Sequence, residues 1–128
     1  MKEEIRTRWI AKLRDPKYIQ HKKSLGRPEY NQFCCLGVLC EVYREDHPGV
    51  EWIHDEKIGK SLFLGSSGHL PFEVVKWAGL KDNNPETSKI YFLNSDEKKE
   101  YPCKAPLSVL NDRYMNFNEI ADQIERDF

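Results

Sequence analysis

The side chains best suited to chemistry in this chain are four cysteines, Cys34, Cys35, Cys40 and Cys103, and four histidines, His21, His47, His54 and His69. Thiolates and imidazoles are the usual ligands of zinc. The spacing does not fit a zinc finger or ribbon, because there is no Cys-x-x-Cys pair and no closely spaced pair of histidines. On a helix Cys34 and Cys35 point about 100° apart and do not chelate one ion readily. The pattern therefore favours buried small apolar residues over a zinc site on Cys34, Cys35, Cys40 and Cys103. A catalytic cysteine is the other thiol chemistry. Cys34 at the start of a helix would feel a favourable dipole, but the sequence pairs no histidine with it as a base.

A second set of residues is cationic and aromatic. Arg6, Arg8, Lys12, Arg14, Lys17, Lys22, Lys23 and Arg27 make the first quarter positive, while acidic residues gather towards the C-terminus. Arg14, Lys22, Lys23 and Arg27 can neutralise an anion, and Tyr18, Tyr30, Trp52 and Tyr91 can stack on a nucleotide base. The competing expectation is plainer: the aromatics finish a small core and the charges solvate helix faces. Gln20 and the pair Asn111-Asp112 offer further polar contacts. Asn111-Asp112 follows Leu110 at an expected helix break, where such residues also cap and turn a chain. The candidate ligand-binding residues are Arg14, Tyr18, Gln20, Lys22, Lys23, Arg27, Asn111 and Asp112. No residue is assigned a catalytic role and no cofactor is implied. Gly65-Ser66-Ser67-Gly68 lacks the lysine of a phosphate loop. Asp112, Asp122 and Glu125 lack a second acidic helix to form a metal pair.

The elements that must position these residues follow from patterning. The chain has 128 residues, 39% of them hydrophobic and 32% charged, which fits one domain over residues 1–128 with an economical, aromatic-rich core. The run Phe33-Cys34-Cys35-Leu36-Gly37-Val38-Leu39-Cys40-Glu41-Val42-Tyr43 is its most apolar stretch and is expected as a central buried helix over 33–46, with Asn31 as N-cap. Gly37 within it costs about 1 kcal/mol of helix propensity, which close approach of another element would offset. Ile5, Trp9 and Leu13 predict an amphipathic helix over 2–14, stopped at Asp15-Pro16. Residues 17–32 read as a loop. A small antiparallel sheet is expected from 50–64 and 89–104. Leu70-Pro71 opens a helix ending at Gly79. Asn116 with Glu119 forms a capping box for a last helix presenting Phe117, Ile120, Ala121, Ile124 and Phe128. The fold class is α+β, with the central helix packed by the N-terminal, Trp77 and C-terminal helices.

Several function classes are argued against. The formal net charge of −1 does not favour non-specific nucleic-acid binding. The capped C-terminal helix resembles the first half of a helix-turn-helix, but no reading helix follows it. No run approaches the ~18–20 apolar residues of a membrane span, and the N-terminus has no signal-peptide pattern, so a cytoplasmic protein with reduced thiols is expected.

In order along the chain, Trp9, Ala11, Leu13 and Arg14, Tyr18 and Gln20, the Phe33–Cys40 block, Leu70-Pro71, Val75, Trp77, Gly79-Leu80, Leu110-Asn111-Asp112, Phe117, Ile120-Ala121-Asp122 and Ile124-Glu125 form a specific pattern. This pattern resembles a group of small, largely uncharacterised proteins of bacteriophages and prophages. The resemblance covers nearly the whole chain and is weakest over 82–104. It implies a phage setting and the host cytoplasm, and carries no activity. The expected function is a non-enzymatic accessory binding protein. It would antagonise host defence by binding a host protein or by sequestering a small anionic, nucleotide-like signal. The alternative is a cysteine- or zinc-dependent enzyme.

Overall fold

The apolar run forms helix α2, Cys35–Asp46, in which every residue from Cys35 to Tyr43 is buried. In this computed structural model the backbone is described for residues 1–88, 90–92, 99–101 and 104–128, and side chains for all of these except 90–92 and 99–101. Expectations that rest on the side chains of Tyr91 and Cys103 lie outside the described residues.

The helix begins later than its hydrophobicity suggests. Its N-cap is Cys34, whose sulfur accepts the Gly37 N–H at 3.4 Å, and not Asn31. Asn31 instead takes a left-handed conformation, φ 57°, that closes a 3-10 turn over Pro28–Tyr30. Strand β3, Gln32–Phe33, separates that turn from α2. Gly37 packs directly on backbone: a Cβ there would stand 1.9 Å from the Leu25 carbonyl oxygen. That carbonyl also accepts the Cys34 N–H at 2.9 Å. The close approach inferred for Gly37 is real, and its partner is a loop rather than another helix.

Helix α1, Glu3–Arg14, buries Ile5, Trp9 and Leu13, with Glu3 and Glu4 in its first turn and Lys12 and Arg14 in its last. This charge order suits the helix dipole. Trp9 Nε1 donates to the Cys35 carbonyl at 2.8 Å and ties α1 to the start of α2. Arg8 bonds Asp46 at 2.8 Å and Glu45 at 3.2 Å, and Lys12 reaches the same Glu45. Helix α3, Phe72–Ala78, ends at Gly79 in the left-handed conformation expected of a C-terminal glycine. A single turn, α4 (Leu107–Val109), leads into α5, Phe117–Asp127, which carries the anticipated Asn116–Glu119 capping box. Helix α2 is packed by α1, α3 and α4, whereas α5 lies chiefly on α1. Arg14 locks that last pair through Asp122 at 2.7 Å.

Residues 17–32 are not simply a loop. They contain β1 (Ile19–Gln20) and β2 (Gly26–Arg27), which with β3 make a three-stranded sheet in the order β1-β3-β2. β1 runs parallel to β3, with Ile19 opposite Gln32, and β2 runs antiparallel, with Gly26 opposite Phe33. Strands two residues long show no alternation, so no pattern announces them. The 50–64 segment forms the expected hairpin, β4 (Ile53–Asp55) with β5 (Lys60–Leu62). β6 (Ile90–Phe92) pairs with β7 (Lys99–Tyr101) as a separate ladder, and among the described residues the two hairpins do not merge into one sheet. The architecture is α+β, one small domain around α2.

Candidate functional site

The thiols are sealed. Cys34, Cys35 and Cys40 are free and at most 4% exposed. Burial in apolar surroundings disfavours the thiolate, so the Cys34 pKa is pushed up to about 12 and those of Cys35 and Cys40 rise well above the ordinary thiol value. The Cys35 Sγ approaches the Leu107 carbonyl at 3.6 Å. These are packing and capping groups without the thiolate character of a nucleophile. Among the described residues no group of three or more His, Cys, Asp or Glu is placed to hold a metal ion.

The polar centre lies next to them. Between α4 and α5 the chain does not break at Asn111-Asp112. It widens into a π turn over Leu110–Tyr114, closed by the Met115 N–H to the Leu110 carbonyl at 2.8 Å. Such turns redirect side chains and occur often at functional sites. Asn111 is 1% exposed, and its amide joins three segments. Its Oδ1 accepts the Cys35 N–H at 3.1 Å and Gln20 Nε2 at 3.0 Å. Its Nδ2 donates to the His21 carbonyl at 2.8 Å and to Asp112 Oδ1 at 3.0 Å. Gln20 Nε2 further reaches the carbonyls of Asn111 and Met115.

This hub fixes the loop from His21 to Leu25. Lys23 has φ 73°, a left-handed conformation that costs a side-chain-bearing residue on the order of 1–3 kcal/mol. Its N–H donates to Asp112 Oδ1 at 3.2 Å, which holds it there. The His21 N–H bonds the Phe33 carbonyl at 2.8 Å and the Leu25 N–H bonds the Ser67 carbonyl at 2.6 Å. His21 Nε2 and Ser24 Oγ share a hydrogen bond at 3.0 Å.

The fixed loop forms one wall of a cleft of about 400 Å³, and the β4–β5 hairpin forms the other. Lys22, Lys23, Arg27, His21, His54 and Lys60 line it, so four permanent cations face a single lining carboxylate, Glu29. Ser24 and Ser61 add hydroxyls, and Gly59, with nothing within 4 Å of where a Cβ would stand, leaves backbone open to a ligand, whereas Gly26 packs against Gln32 and Phe33. No aliphatic side chain lines the space. The Arg27 guanidinium lies 4.6 Å over the Tyr30 ring, which restrains it at the rim. Burial lowers the His21 pKa, the Arg27 charge lowers it further, and Asp112 opposes both. Clefts lined by one sign of charge concentrate the opposite sign. A second cavity, about 430 Å³ between Gly79–Ser88 and the end of α5, is lined by Lys81 and Lys104 beside Asp82, Glu86 and Asp127. Its mixed signs do not select a ligand charge.

The structure thus divides the sequence candidates in three. Lys22, Lys23 and Arg27 come together in the cleft. Gln20, Asn111 and Asp112 stand behind it and hold its loop. Arg14 and Tyr18 lie elsewhere: Arg14 pairs with Asp122 and Glu125, and Tyr18 packs on Phe33 with its hydroxyl accepting from Lys12 at 2.9 Å. Trp52 also serves the core, donating to buried Glu41 at 3.1 Å. The sequence reading missed Lys60, Ser24 and Ser61 and considered His21 and His54 only as zinc ligands. The clustering of His21, Lys22 and Lys23 was visible, whereas the approach of the hairpin to β2 had no local signal.

No solved structure matches the chain. A family model described as a domain of unknown function, DUF8296, matches residues 1–128. No helix among the described residues is long and apolar enough to cross a membrane. The match spans the α2 block, the π turn and the cleft alike, and the chain belongs to the DUF8296 family.

Proposed function

We propose that this protein is a non-enzymatic binding protein that captures a small anionic ligand in the cleft between residues 21–29 and 54–61. One observation carries the reading. Lys22, Lys23, Arg27 and Lys60 converge on a space of about 400 Å³ with one opposing carboxylate on its lining. The four cations outnumber that carboxylate, Glu29, which among the described residues pairs at 4.0 Å with Arg27 alone, and an anion relieves the remaining repulsion. The αL Lys23 and the Asn111 hub support the reading, because they fix the loop before a ligand arrives. The sequence resemblance supports a bacteriophage setting. There the ligand would be a small anionic host signal, and its sequestration in the host cytoplasm would blunt a defence response.

Calorimetric titration with a panel of linear and cyclic nucleotides tests this. Saturable heat from the native protein, lost in Lys22→Ala/Arg27→Ala, is the expected result. Heat indistinguishable from buffer for the whole panel removes the reading.

A second reading is a host protein docked on the hairpin. Ile53 is 68% and Ile58 53% exposed there, next to the cleft. Pull-down from host extract, repeated with Ile53→Ser/Ile58→Ser, addresses it. Recovery of the same partner by both proteins counts against it.

A further inference from the structure

We infer that the cleft selects its ligand by phosphate groups, at least two of them in one molecule, and not by a base or an apolar moiety; this rests on the small-anion reading above.

The lining carries the argument. A pocket that recognises a heterocycle or an acyl group is walled largely by hydrophobic and aromatic side chains with a few polar groups. This cleft differs in residue type: cations, imidazoles, hydroxyls, glycines and one carboxylate, Glu29, make up its walls, and its apolar surface comes largely from the stems of lysine and arginine. Among the described residues no Phe, Tyr or Trp lines it, and Tyr30, next in sequence to the lining Glu29, already has the Arg27 guanidinium over one face. The cations are also divided between two walls. Lys22, Lys23 and Arg27 belong to the loop and β2, while Lys60 and His54 belong to the hairpin. A single small anion neutralises one wall and leaves the other charged. A ligand with two or more linked phosphates spans both, offering non-bridging oxygens to the ammonium and guanidinium donors of each wall. A volume of about 400 Å³ exceeds what one phosphate fills. Nucleoside polyphosphates, inorganic polyphosphates and multiply phosphorylated sugars share this chemistry, and the test separates them.

The experiment is a calorimetric series on the full chain at fixed ionic strength with inorganic phosphate, pyrophosphate, tripolyphosphate, adenosine, AMP, ADP, ATP and malate. Affinity should rise about tenfold or more with each added phosphate, the scale of one hydrogen bond to a charged group. Adenosine should be silent, and ATP should match tripolyphosphate within about threefold if the base contributes no contact. ATP binding far tighter than tripolyphosphate overturns recognition by phosphate alone. Phosphate, AMP or malate binding as tightly as tripolyphosphate overturns selection by phosphate number while leaving the small-anion reading intact. No heat from any of them overturns both. Lys23→Ala and Lys60→Ala, exposed on opposite walls, should each weaken tripolyphosphate about tenfold and inorganic phosphate by less than about threefold, with unchanged thermal melts. Equal losses for the two ligands contradict the two-wall geometry.

Discussion

Asn111 Oδ1 accepts the backbone N–H of Cys35 at 3.1 Å across 76 residues of sequence. The bond caps the first turn of α2, where backbone donors have no partner inside the helix. The same side chain, through Nδ2, holds the His21 carbonyl. The start of the central helix and the basic loop therefore depend on one amide.

Asn111→Ala should remove both. It strands the Cys35 N–H and the His21 carbonyl in a buried setting, at a cost of about 2–4 kcal/mol. Urea unfolding measures the loss. Asn111→Asp restores the acceptor but not the Nδ2 donor and brings a carboxylate beside Asp112, so it should fall well short of rescue. A variant as stable as the native protein sinks the hub.

Gly37→Ala should be more damaging than its position in a helix suggests. Alanine favours a helix over glycine by about 1 kcal/mol, which alone would stabilise. The added Cβ would lie 1.9 Å from the Leu25 carbonyl oxygen, a backbone atom that itself bonds the Cys34 N–H. Separation of loop and helix should dominate, with a net loss of at least about 1–3 kcal/mol. A raised melting temperature would show that the loop yields freely.

The thiols should be inert while the fold persists. Burial holds Cys34, Cys35 and Cys40 protonated, with Cys34 at about 12. Brief alkylation of the native protein near neutral pH, followed by peptide mass analysis, should leave all three unmodified, and modification should appear only with denaturant. Rapid native labelling of Cys34 would reopen thiol chemistry.

Stability should fall on mild acidification. Burial and the Arg27 charge depress the His21 pKa below its ordinary 6.5, with Asp112 acting the other way. The folded state thus favours neutral His21, and its contribution is complete above the ordinary value. It is lost as pH falls from there through the lowered folded value, because the unfolded chain takes up the proton first. Unfolding free energies at about pH 8 and about pH 5.5 bracket that window. The difference between them should shrink in His21→Gln. An identical difference in both proteins would mean that His21 does not titrate with folding.

What the sequence made legible was what repeats or punctuates. Ile5, Trp9 and Leu13 at four-residue intervals announced α1, and Asn116 with Glu119 announced the cap of α5. Gly79 marked the end of α3. The α2 run identified the core, but its uniform hydrophobicity hid its start, since Phe33 of β3 and the N-cap Cys34 are as apolar as the helix that follows. The sheet around β3 was illegible because its strands are too short for any period. The cleft was half legible. Lys22, Lys23 and Arg27 lie together in sequence, whereas Lys60 and His54 join them only by tertiary approach of the hairpin. Arg14 looked equivalent to those lysines until its carboxylate partners on α5 were seen.

The most direct test of the central claim is a map of where an anion binds. Amide shifts of isotopically labelled protein would be followed by NMR during titration with pyrophosphate. Saturable shifts concentrated in residues 21–29 and 54–61 are expected. Shifts centred on the cavity at Gly79–Ser88, or none that saturate, would contradict the account.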